Sequence, residues 1–160
     1  MNRLIERFLR YVAIDTQSQY GTGTFPSTEK QKNLGNLLVQ ELLEMGVSEA
    51  AMDEYGTVYA SIPSNSGEDI PVIGFTAHMD TAPDLPGCNI KPRIIENYDG
   101  TDIVLNEEKN IIFSVEKFPR LKVYQGKDLI VGDGTTLLGA DDKSGVAVIM
   151  ELAATLTENP

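Results

Sequence analysis

The stretch Pro71-Val72-Ile73-Gly74-Phe75-Thr76-Ala77-His78-Met79-Asp80-Thr81 constrains this chain more than any other. It reads as a short apolar strand running into the only histidine of 160 residues, with an aspartate two places on. Side chains alternate across a strand, so His78 and Asp80 are expected to point the same way. The apolar run predicts a strand covered on both faces, as in a parallel sheet. Open parallel sheets collect their ligands at the carboxyl ends of the strands, where this pair falls. A neutral imidazole is a good metal ligand, and a nearby carboxylate fixes its tautomer or raises its basicity. A histidine satisfied by ordinary hydrogen bonds at a strand end fits the same few residues, because His-x-Asp is a short motif.

A second cluster shifts the balance. Leu138-Gly139-Ala140-Asp141-Asp142-Lys143-Ser144-Gly145 sits between a short predicted strand (residues 128–133) and a predicted helix from Ser144 to Leu156. Carboxylates at a helix mouth cap its amides and complement its dipole, which is a sufficient reason for Asp-Asp by itself. The glycines and small residues around them point to backbone packed closely about a site. Two strand-end clusters in one chain, one His-Asp and one Asp-Asp, suit a divalent cation held by imidazole and carboxylate oxygens.

The rest of the chain frames these clusters. Residues 2–14 read as an amphipathic helix with Leu4, Phe8, Leu9 and Val12 on its apolar stripe and Arg3, Glu6, Arg7 and Arg10 off it. A second helix opens at Ser27 or Thr28, with Thr28 and Gln31 at capping-box spacing, and stops at Gly46. Residues 51–62 read as a hairpin turning near Tyr55-Gly56. An irregular β excursion at about 82–127 follows, rich in Pro and Gly and lodged between two core strands. This order of elements predicts an α/β chain: a layered αβα domain with a mixed, mostly parallel sheet. A parallel sheet ordinarily continues after the last helix, so the ending Glu158-Asn159-Pro160 looks like a cut.

Charge and cysteine content narrow the function classes. A formal net charge of −11 argues against nucleic acid and against anionic membrane surfaces. There is no uncharged apolar run long enough to span a bilayer. The lone Cys88 has no internal partner, which fits a reducing, cytoplasmic setting.

Thr76-Ala77-His78-Met79-Asp80-Thr81 together with Gly139-Ala140-Asp141-Asp142-Lys143-Ser144-Gly145 resembles the co-catalytic zinc exopeptidases, which include carboxypeptidase G-type enzymes and aminoacylases. Asp84-Leu85-Pro86-Gly87, Glu96-Asn97-Tyr98 and Asp133-Gly134-Thr135-Thr136 look like the branch of that family that removes the first residue of tripeptides. The resemblance implies that His78 and Asp141 are zinc ligands, Asp141 bridging two ions, and that Asp80 orients His78. It implies a cis peptide between Asp141 and Asp142. It also implies a zinc-activated water as nucleophile and short peptides as substrates.

The family's general-base glutamate, a neighbouring glutamate ligand, another aspartate and a second histidine have no counterpart here. Glu107-Glu108 precede the Asp-Asp motif and read as a solvated turn. The expectation is therefore an N-terminal portion, residues 1–160, carrying half of a dinuclear site and inactive alone. The lid domain through which such enzymes form homodimers is expected to be absent. A carboxypeptidase or N-acyl amino acid hydrolase of the same family, or a non-catalytic interaction module on the same scaffold, would share the motifs.

Overall fold

Asn2 opens the first helix, its side-chain oxygen accepting the Leu4 amide at 2.9 Å. The computed structural model describes residues 2–158; Asn159 and Pro160, part of the ending that suggested a cut, lie outside the described residues. Helix α1 (Arg3–Val12) buries Phe8 and Val12 of the expected stripe and leaves Leu4 and Leu9 half-buried; it also buries Tyr11 and Arg7, the latter expected on the wet face. Arg7 turns inward because two carboxylates meet it there. Its guanidinium donates to Glu41 at 2.5 Å and to Glu151 at 3.0 Å.

Helix α2 (Gln31–Glu44) ends where Gly46 takes φ +88, a conformation that costs glycine least. The expected capping box does not form. Thr28 spends its hydroxyl on the Gln17 carbonyl at 2.7 Å, and the regular helix begins three residues later with no side-chain cap. Strands β1 (Ala51–Met52) and β2 (Val58–Tyr59) make the expected hairpin, antiparallel, with Gly56 at φ +86 in its turn. Helix α3 (Ala140–Glu158) packs on α1 and buries Val146, Ala147, Met150, Ala153 and Ala154, while Leu156 is about half exposed.

These elements belong to one compact unit, Met1–Pro83 with Gly139–Pro160. A second unit is Asp84–Leu138. Its antiparallel pairs are β3 (Arg93–Ile95) with β6 (Leu129–Val131), and β4 (Ile103–Asn106) with β5 (Ile111–Phe113). They surround a cluster of Tyr98, Ile103 and Leu121. Glu107 and Glu108 lie exposed in the β4–β5 turn.

The chain is thus α/β, and among the described residues its sheets are three antiparallel pairs. One parallel bridge, Gln17 to Thr81, stands apart from them. The apolar run Pro71–Thr76, expected as a covered strand, has no regular secondary structure, and Val72 and Ile73 are 97% and 75% exposed. A strand is defined by its ladder, and no described segment offers this run one.

Candidate functional site

His78 lies at the end of that ladderless run, and Asp141 lies where α3 starts. The peptide between Asp141 and Asp142 is cis, and both residues have non-helical dihedrals, so the regular helix starts after them. Asp142 acts as the cap: its carboxylate accepts the Gly145 amide at 3.1 Å. A β-carbon at position 145 would stand 2.5 Å from that carboxylate, which explains the glycine. Asp141 is left free of capping duty, its side chain 96% exposed.

The structure brings His78, Asp80 and Asp141 together. His78 Nδ1 is 3.1 Å from Asp80 Oδ1 and 3.1 Å from the Asp80 carbonyl; His78 Nε2 is 3.1 Å from Asp141 Oδ1. A neutral imidazole carries one N–H, yet here both ring nitrogens face oxygen acceptors. A second proton or a cation must therefore mediate one of the two contacts. Partial burial works against the extra proton, but the Asp141 bond and the Asp80 charge outweigh it and raise the pKa of His78 above its ordinary value.

The donor set fits a metal as far as it goes. Two ligands on one tetrahedral zinc, each at about 2.0–2.1 Å, stand roughly 3.3 Å apart, close to the Nε2–Oδ1 separation. With Nδ1–H held by Asp80, Nε2 presents its lone pair toward Asp141. Among the described residues no group of three His, Cys, Asp or Glu side chains is placed to hold an ion. His78 and Asp141 would be two ligands of a larger set.

Behind the pair stand Thr81 and Lys143, which belong to the two motifs, and Thr16, which the sequence does not single out. Thr16, Thr81 and Lys143 are buried, 0%, 1% and 0% exposed. Lys143 donates from Nζ to the Ile14 carbonyl at 2.7 Å, and burial pushes its pKa down to about 8 against the pull of Asp15. For Thr16 the sequence signal is the polar run Asp15-Thr16-Gln17-Ser18 directly after an amphipathic helix.

No protein-family model matches the chain. Curated proteins named peptidase T do: 58% identical in Desulfitobacterium hafniense, 54% in Halothermothrix orenii and 49% in Clostridium acetobutylicum, each over 160 residues and all of this chain. The chain spans about two fifths of the length of these relatives, 39% of each.

Proposed function

We propose, for a chain similar along its whole length to part of peptidase T, that it carries one half of a zinc aminopeptidase site acting on the N-terminal bond of tripeptides. The observation that carries this reading is the placement of both His78 ring nitrogens against carboxylates from two distant stretches. In it, His78 and Asp141 would hold zinc, and Asp80 would keep the Nδ1 proton of His78 in place. Zinc there supplies a polarised carbonyl and a water acidic enough to attack at neutral pH. The remaining ligands and the general base come from the portion of such enzymes beyond this match, so the 160 residues alone turn nothing over.

The same reading assigns Val72, Ile73 and Phe75, exposed here, to a strand of a layered, mostly parallel sheet completed by that further portion. It places the enzyme in the cytoplasm as a homodimer. No helix among the described residues is long and apolar enough to cross a membrane.

A chimera provides the test: this chain in place of the matching segment of the Desulfitobacterium hafniense protein. The chimera should release the N-terminal residue of tripeptides, lose activity to a chelator and regain it with zinc. His78→Ala or Asp141→Asn should lower kcat/KM by about a thousandfold or more, equivalent to ~4 kcal/mol. A folded chimera that is inactive, or one that cleaves N-acyl amino acids in preference to tripeptides, would overturn the assignment.

A further inference from the structure

His78 and Asp141 are 63 positions apart, and no ladder supports the run that carries the histidine. Something else must fix their separation. The hydrogen bonds nearest to His78 converge on one short segment after α1. Thr16 Oγ1 donates to the Met79 carbonyl at 2.7 Å, and the Thr81 amide donates back to the Thr16 carbonyl at 3.2 Å. The Ser18 amide and hydroxyl both donate to the Thr81 carbonyl at 2.9 Å. From the other side, Lys143 Nζ reaches the Ile14 carbonyl, two residues before Thr16. The segment itself is anchored by Asp15, which accepts the Gln17 amide at 3.0 Å and pairs with Lys30 at 2.9 Å.

We propose that Ile14–Ser18 is a clasp that sets the distance between His78 and Asp141, with Thr16 and Lys143 as its positioning residues. Neither touches the donor atoms. Thr16 holds the backbone on the two sides of Asp80, and so the ring that Asp80 orients. Lys143, two residues after Asp141, ties the start of α3 to the same segment. Thr16, Thr81 and Lys143 are buried and their partners Ile14, Ser18 and Met79 are partly covered, so a lost bond leaves a poorly solvated carbonyl unsatisfied and the two halves free to drift. Ligands displaced by even a fraction of an ångström lose the geometry a cation demands. The clasp rests on the zinc reading only for its consequence, not for its geometry.

Two measurements on the 160-residue chain separate this from a merely stabilising role. The first is the 15N signal of the Nε2 of its single histidine at fixed pH without metal, which reports the Asp141 contact. The second is the affinity for zinc alone by calorimetry at low temperature. Thr16→Val and Lys143→Met should move the ring signal toward that of Asp141→Asn and weaken zinc binding about tenfold, as loss of a supporting partner does at metal sites. Leu42→Ala, a core change in α2, should lower stability and leave both readouts alone. If Thr16→Val and Lys143→Met behave like Leu42→Ala, the clasp is overturned. A native chain that takes up no zinc, while Thr16→Val still moves the ring signal, sinks the zinc reading and keeps the clasp. Where Thr16→Val does not fold, Ser18→Ala, which removes one of two donors to Thr81, decides by the same readouts.

Discussion

At the scale of single residues, what matters is how little room the Asp141 loop has. Gly139 takes φ +77, and a β-carbon there would stand 3.0 Å from Thr81 Cγ2 and 3.9 Å from Lys143 Nζ. Gly139→Ala therefore combines a left-handed backbone with a crowded neighbour, and should destabilise the chain by about 1–3 kcal/mol in urea unfolding. Thr81→Val makes a contrasting case. The Thr81 hydroxyl is buried with no hydrogen-bond partner, and the bonds this residue makes run through its backbone. Removing that hydroxyl should be neutral or stabilising by up to about 1 kcal/mol, measured in the same way. A large loss would show that the hydroxyl has a partner the packing conceals. Tyr11 offers a pH handle. Burial, then its bond to Glu41, pushes the phenol up to about 12. Because the folded value exceeds the unfolded one, this contribution to stability is full below about pH 10 and is lost as pH rises through about 12. Ultraviolet titration should find Tyr11 ionising well later than an ordinary phenol.

Between elements, a carboxylate–guanidinium network joins the three helices. Glu41 of α2 receives Arg7, Arg10 and the Tyr11 hydroxyl from α1, while Glu151 of α3 receives Arg3 and Arg7. Arg7 and Glu41 are close to fully covered, so Glu41→Ala leaves the Arg7 guanidinium with Glu151 alone and the buried Tyr11 hydroxyl without its acceptor, and should cost up to about 3–5 kcal/mol. Exposed Arg10 contributes far less. Partial burial opposes ionisation of Glu151, but the bonds from Arg3 and Arg7 prevail and hold its pKa below the ordinary carboxylate value. Its stabilisation is thus present above about pH 4.3 and lost as pH falls through the lower, folded value. Glu151→Gln should be less stable than the native chain near neutrality, and the gap should close in acid. The sequence announced these helices through their apolar spacing and their glycine stop, because those signals are local. Arg7 facing inward was not legible, since its reason lies 34 and 144 residues away in Glu41 and Glu151. The Thr28 cap failed for a similar reason: its hydroxyl is turned to the Gln17 carbonyl, and its oxygen accepts the Gln31 side-chain amide in place of a helix N–H.

Across the whole molecule, the account turns on a contrast between a surface left bare and a pair of residues brought together. Val72, Ile73 and Phe75 show large apolar side chains to solvent on a run with no ladder. Surfaces of that kind promote association, so light scattering should detect species larger than the monomer as concentration rises, and Val72→Lys with Ile73→Lys should suppress them. A strictly monomeric native chain at high concentration would argue against this. The run looked like a covered strand because periodicity reports what a segment can bury, and burial depends on neighbours that are not found among the described residues. His78 and Asp80 do face one way, but not by the strand alternation expected of them, since the run forms no strand, and Asp141 in particular was singled out by resemblance. The clasp behind them was not legible, because backbone carbonyls carry no signature in a sequence. Zinc titration of this chain by calorimetry, native against His78→Ala and Asp141→Asn, tests the central claim most directly. Saturable binding of the native chain that either substitution abolishes is the predicted result; binding that survives both, or no binding by the native chain, would contradict a cation shared by His78 and Asp141.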